Sequence, residues 1–216
     1  TSGLSFSRVR EICRSLEPQH GVSQRRFQLP GNVRLFLEYE QILLSRMDMW
    51  FCPHYEYLLP WNRWFPVPEA GAELFARVAS PGQRPLPALR DPDQAFLAWG
   101  GESGEVRLRN VRPGDRFHPK GAGGGKKLKD YFIDRKVPRS LRPRLPLVVI
   151  DGKIAWVAGL REGERFRGPG DGSSFLHVRI RWRSEPPLPD RRRKKSPYDR
   201  ACSKTPICCV ALILRH

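Results

Sequence analysis

The chain has 216 residues, 39% of them hydrophobic, with 39 Lys and Arg against 22 Asp and Glu and a formal net charge of +17. That length suits one large or two small domains with cores of modest size, and the cationic excess points to an anionic partner. No apolar run approaches the roughly 20 residues that span a bilayer and no basic-then-apolar leader opens the chain, so a soluble protein is expected rather than a membrane or exported one.

In chain order, residues 5–16 place Phe6, Val9, Cys13 and Leu16 on one helical face and Arg8, Arg10, Glu11 and Arg14 off it, which predicts a docking helix. Gln24 to Leu29 and Val33 to Tyr39 read as strands around a Pro30-Gly-Asn32 turn, hence a hairpin. Between Met47 and Pro68 the aromatics Trp50, Phe51, Tyr55, Tyr57, Trp61, Trp64 and Phe65 lack basic interleaving apart from Arg63, which favours core over base stacking. Ser80 to Leu89 reads as a loop, and Gln94 to Trp99 as a strand.

The charge is not spread evenly. Residues 1–104 hold 11 Lys/Arg against 11 Asp/Glu, residues 105–167 hold 17 against 7, and residues 168–216 hold 11 against 4, so the net charges are 0, +10 and +7. A field confined to one segment steers an anion to that segment. Within it, Glu105 to Arg109 reads as a strand leading into the turn Arg112-Pro-Gly-Asp115. After Gly121-Ala-Gly-Gly-Gly, the run Lys126 to Arg135 sets Leu128, Tyr131 and Phe132 at helical spacing. It predicts a short basic helix that ends by Lys136, because Val137 precedes Pro138. Lys126 and Lys127 are then expected in its first turn, where free N–H groups beside glycines and lysines suit a phosphate. A P-loop does not fit, since Lys120 stands where its first Gly belongs and Lys127 where its Ser or Thr belongs. Leu145 to Ile150 and Lys153 to Ala158 form a hairpin through Asp151-Gly152, and Phe175 to Trp182 is expected to close the same sheet. His118 reads as a turn residue beside Pro119.

Cys13, Cys52, Cys202, Cys208 and Cys209 form no CxxC pair and no metal-like spacing with His20, His54, His118, His177 or His216. No metal site is expected, and an odd, unframed count fits a reducing cytoplasm.

Several blocks occur together in one order: Val111-Arg-Pro-Gly-Asp-Arg-Phe117, Gly125-Lys-Lys-Leu-Lys-Asp-Tyr-Phe-Ile-Asp134, Lys136-Val-Pro-Arg139, Pro146-Leu-Val-Val149 and Gly152-Lys-Ile-Ala-Trp-Val-Ala-Gly159. This stretch of about 60 residues resembles the C-terminal domain of bacterial tRNA(Ile)-lysidine synthase. Residues 5–39 more weakly resemble the linker domain that precedes it. Tyr55-Glu-Tyr-Leu-Leu-Pro60 with Val67 to Leu74 resembles the family's strand entering its second C-terminal domain.

The resemblance implies an α+β fold of two small domains, the second a mixed or antiparallel sheet packed with the short basic helix. Residues 1–50 would belong to the linker and substrate-binding domain, 51–183 to the tRNA-binding domain with its core at 105–167. Residues 184–216, with Arg191-Arg-Arg-Lys-Lys195 and Ile207 to Leu214, are expected to be a disordered or spurious tail. In that family this domain grips the tRNA acceptor stem, while an N-terminal domain uses ATP and Mg to adenylylate the wobble cytidine of the CAU anticodon of tRNA(Ile). Lysine is then attached, changing the codon read from AUG to AUA.

The adenylylating loop Ser-Gly-Gly-x-Asp-Ser occurs nowhere in these residues, and the start at Thr1-Ser-Gly suggests a truncated chain. The chain is therefore expected to bind tRNA(Ile) in the cytoplasm without catalysing and without holding a cofactor. No catalytic residue is named, and a homodimer is left open. The matching cations Arg112, Arg116, Lys126, Lys127, Lys129, Arg139 and Arg142 are the expected phosphate and sugar contacts, while Gly114, Asp115, Asp130, Pro138, Gly152 and Trp156 read as structural. The competing readings are a stand-alone RNA-binding module and a small phosphate-ligand enzyme built on the glycine loop.

Overall fold

The computed structural model describes residues 5–16, 25–38, 41–46, 52–80, 91–98, 105–166 and 174–183. They fall into two compact units, residues 5–46 with 138–140 and residues 52–137 with 141–183.

The first unit sets helix α1 (Phe6–Leu16) beside an antiparallel sheet of β1 (Arg25–Leu29), β2 (Val33–Glu38) and β3 (Gln41–Arg46). The expected hairpin is present. Gly31 and Asn32 adopt φ of 71° and 60°, a conformation open to Gly at no steric cost and tolerated by Asn. The third strand was not anticipated.

The expected orientation of α1 needs correction. Phe6 and Val9 are 74% and 41% exposed and Cys13 is exposed, whereas Ile12 packs on Phe27, Leu35 and Leu37. The Arg8 guanidinium lies 5.3 Å from the Phe27 ring centre, and Ser15, buried, accepts a bond from Arg25 at 2.8 Å. Three short strands offer a narrow apolar strip, which one isoleucine and a cation on an aromatic face can cover.

The second unit is layered. Four strands, β5 (Trp64–Val67), β6 (Ala72–Ala79), β14 (Phe175–Trp182) and β7 (Gln94–Ala98), make one antiparallel sheet in that order. Five strands, β13 (Arg161–Glu162), β12 (Lys153–Val157), β11 (Leu147–Ile150), β8 (Val106–Arg109) and β4 (Glu56–Leu58), make another. Val148, Ile150, Trp156 and Leu108 of the five-stranded sheet share a core with Leu74, Leu97, Leu176 and Val178 of the four-stranded one. The alternate residues Leu147, Val149 and Val157 pack with Leu128, Tyr131 and Phe132 of α2 (Leu128–Asp134) and with Phe117. β11 is buried at every position because both of its faces are covered, by a sheet on one side and the helix on the other. These layers confirm an α+β fold whose named strand ladders among the described residues are all antiparallel.

The hairpin β11–β12 turns through Asp151 and Gly152 at φ of 50° and 72°, the two left-handed positions that an Asp-Gly pair supplies. β14 corrects another expectation. It does not close the sheet that carries the helix but pairs with β6 and β7 in the opposite layer, a non-local choice that its own alternating pattern leaves open. The aromatic stretch divides as well. Tyr55 is buried at 5% exposure, but Trp61 is 41% exposed and Trp64 half-buried, so it is not uniformly core. Residues 47–51, 81–90 and 184–216, which carry Trp50 and Phe51, the expected loop and the tail, lie outside the described residues.

Candidate nucleic-acid interface

The charged surface of the second unit is organised by Asp115. Its carboxylate accepts two bonds from the buried Arg109, each of 2.8 Å, and a third from the Arg112 N–H at 2.8 Å. Its backbone carbonyl accepts the Leu128 N–H, also at 2.8 Å. One residue thus ties the Arg112–Asp115 turn to β8 and to the start of α2. The turn has Pro113 followed by Gly114 at φ 86°, the placement a type II turn requires. Breaking such a bidentate pair leaves a cation without its partner, which is why this acid is structural.

Lys126 and Lys127 correct the expected helix start. They form a short strand, β10 (Lys126–Lys127), antiparallel to β9 (Arg116–Phe117), and α2 begins one residue later. The Leu128 N–H is already bound by Asp115, and the helix has seven residues, so its N-terminus is not the anion site that the glycines and lysines suggested.

The ladder itself presents the charge. Phe117 points inward, 1% exposed and edge-on to Tyr131 at 5.0 Å, so its neighbour Arg116 points outward. Arg116 stands directly opposite Lys127, and both are exposed. Lys129 is exposed on the first turn of α2. Among the described residues no carboxylate pairs with Arg116, Lys127 or Lys129.

The other expected contacts are engaged. Arg112 pairs with Glu56, which also binds Arg107 at 3.1 Å; these two guanidiniums hold the Glu56 carboxyl below its ordinary range, Arg112 more strongly. Lys126 pairs with Asp134 at 2.7 Å. Arg142 donates through Nε and Nη2 to the Val137 carbonyl at 3.1 and 3.0 Å and so braces the chain after α2. Arg139 is exposed and belongs to the first unit through the segment 138–140, where the Ser140 hydroxyl donates to Glu38 at 2.6 Å. Of the residues read as structural, Pro138 and Trp156 are buried and Gly152 holds its left-handed turn, while Asp130 is exposed on the first turn of α2.

The glycine loop is held rather than open. Lys120 pairs with Glu162 at 2.5 Å, and Arg161 donates to the Lys120 carbonyl at 3.0 Å. Gly125 lies under the His118 ring, whose Cε1 would sit 2.2 Å from a Cβ, so this glycine makes room for the imidazole. Sequence reading missed Glu56 and Glu162 as acids that pair with nearby cations, and Glu164 as the acceptor of the Gly121 N–H. Their partners lie 42 or more residues away along the chain, and only the fold brings them together. Among the described residues no group of three or more His, Cys, Asp or Glu is placed to hold a metal ion, and no helix is long and apolar enough to cross a membrane.

This layered α+β architecture is that of a known domain. Residues 106–182 match the profile of the TilS substrate C-terminal domain. A crystal structure of a TilS C-terminal domain superposes with a TM-score of 0.52 at 28% identity, covering 61% of this chain and 99% of that one. A tRNA(Ile)-lysidine synthase of Symbiobacterium thermophilum is 33% identical over 189 residues, and one of Geobacter sulfurreducens 47% identical over 186. The alignments cover 85% and 83% of this chain but only 38% and 37% of those relatives, so the chain spans less than two fifths of their length. Over most of its length the chain is similar to tRNA(Ile)-lysidine synthases, and its residues 106–182 match that family's substrate C-terminal domain.

Proposed function

We propose that this chain is the tRNA-recognition portion of a tRNA(Ile)-lysidine synthase, and that its second unit holds the acceptor stem of tRNA(Ile) through Arg116, Lys127 and Lys129. The observation that carries this reading is the cross-strand pair Arg116 and Lys127. Like charges directly opposed on a ladder repel and destabilise it by about 0.2–1 kcal/mol. A backbone phosphate between them converts that repulsion into two attractions. Arg112 and Lys126, each in an exposed ion pair worth about 1 kcal/mol or less, can exchange their carboxylates for phosphates. Arg142 is read as a brace with at most a secondary contact. A-form RNA hides its base edges in a deep major groove, so these contacts read stem shape more than sequence.

On this reading residues 1–50 are part of the linker and substrate-binding domain and 51–183 the tRNA-binding domain of a cytoplasmic enzyme. The parent protein would use ATP and Mg to activate the wobble cytidine of the CAU anticodon and ligate lysine to it, with the adenylylating chemistry outside these residues.

The test is binding of the chain to an acceptor-stem minihelix across a salt series. Arg116→Ala with Lys127→Ala is expected to flatten the log–log salt slope by roughly 1.5, two phosphate contacts' worth. An unchanged slope and affinity would place the RNA elsewhere.

A further inference from the structure

The outer face of the four-stranded sheet is unlike the solvent face of an ordinary sandwich. Its inner face supplies Leu74, Ala76, Leu97, Leu176 and Val178, each with no exposure, so the core is complete without the residues on the other side. The register puts those others in rows. Trp64 stands opposite Phe75, Phe75 opposite Arg179, and Arg179 opposite Gln94; in the next row Arg77 stands opposite His177, and His177 opposite Phe96. Three half-buried aromatics therefore share this face with arginines across four strands.

The rings and cations are already in contact, Trp64 and Phe75 tilted at 42° to each other and Phe96 and His177 stacked at 9°. Trp64 and Phe75 have centroids 5.4 Å apart, and the Arg181 guanidinium lies 3.8 Å from the Trp64 centroid, with that of Arg179 at 5.7 Å. Phe96 lies parallel to His177 at 4.4 Å. Arg179 and Arg181 are exposed and pair with no carboxylate among the described residues; the nearby Glu73 is bound to Arg183 at 3.1 Å. A guanidinium held flat on an indole offers its second face to another planar group while its N–H fork remains free for phosphate.

We propose that this sheet face binds a single-stranded RNA segment, with unpaired bases stacking on the Arg181–Trp64 pair and on Phe96 and with phosphates held by Arg77, Arg179 and Arg181. Stacking platforms with interleaved cations suit unpaired bases, because every base has a π-face, and they do not suit a duplex, whose bases are stacked on each other. Charge decides the partner: Arg179 and Arg181, exposed and in no ion pair among the described residues although Glu73 stands opposite Arg181, complement a polyanion. The surface lies on the opposite side of the domain from α2, with the five-stranded sheet between them. Only the choice of RNA over DNA rests on the function proposed above.

The test is anisotropy of a labelled oligouridylate of about ten nucleotides and of a blunt RNA duplex, each titrated with the full chain. Trp64→Ala is expected to weaken the single strand by roughly 5- to 100-fold and leave the duplex unchanged, and Trp64→Phe to retain most of the binding. Arg179→Gln with Arg181→Gln, both at exposed positions, is expected to flatten the single-strand salt slope by about 1.4 while the urea midpoint stays at the parent value. Single-strand binding that these variants leave intact, no single-strand binding at low salt, or equal loss for single strand and duplex would overturn the proposal. Arg116→Ala with Lys127→Ala separates the two readings: it should spare the single strand, whatever it does to the duplex.

Discussion

At the residue scale, His177 shows how the fold sets a chemical property that the sequence leaves open. It is buried, with Nε2 3.0 Å from Gln94 and Nδ1 accepting from Arg77 at 3.4 Å. Burial, reinforced by the charges of Arg77 and Arg179, lowers its pKa from 6.5 to about 4. The folded chain therefore binds fewer protons than the unfolded chain between those values, and stability rises with pH across that window. His177 should contribute fully above about pH 6.5, and its contribution should fall toward pH 4 by at most about 1.4 kcal/mol per pH unit. Urea midpoints at about pH 7 and about pH 5 check this. His177→Gln is expected to remove most of the difference, and an equal acid loss in the variant would assign the titration to another group. Asp115 is the opposite case, read as structural among the motif residues, and the bonds of its carboxylate are local to the Arg112-Pro-Gly-Asp115 turn and the strand before it.

At the element scale, the β9–β10 ladder trades stability for charge. Replacing one cation by an acid should reverse the cross-strand term, so Arg116→Glu is expected to raise stability by about 0.2–1 kcal/mol while cutting minihelix affinity. Urea melts and minihelix titrations of the same variant test both halves, and a variant less stable than the parent would show that the pair is not strained. The elements also show what a sequence can and cannot disclose. The hairpin at Asp151-Gly152 was legible because the signal is two adjacent residues with one backbone demand. The start of α2 was not, because whether Lys126 and Lys127 are helix or strand depends on Arg116, Phe117 and the Asp115 carbonyl, about ten residues upstream. β14 was recognised as a strand from its alternation, but its sheet was set by partners 77 to 110 residues back, which periodicity does not encode. α1 misled because Phe6, Val9 and Cys13 lie on its exposed side, with Arg8, Ile12 and Ser15 inward instead.

At the scale of the whole molecule, the cationic excess read from composition proves to be partly consumed. Among the described residues Glu56, Glu162 and Asp134 each pair with a nearby cation, and the cations left outward include Arg116, Lys127 and Lys129 beside α2 and Arg179 and Arg181 on the far sheet. The motif blocks were enough to identify the domain and its chain order, since they mark turns and core positions that the fold cannot vary. They could not separate cations that are free from cations that are paired, which is a matter of where distant acids land. These two cationic surfaces lie on opposite sides of one domain and so make a geometric demand on any RNA bound to both.

Hydroxyl-radical footprinting of isoleucine tRNA bound to this chain tests that demand most directly. The account predicts protection of consecutive sugars on the acceptor stem, lost when Arg116 and Lys127 are changed together to Ala. Protection confined to the anticodon arm, or acceptor-stem protection that survives the double change, would contradict it.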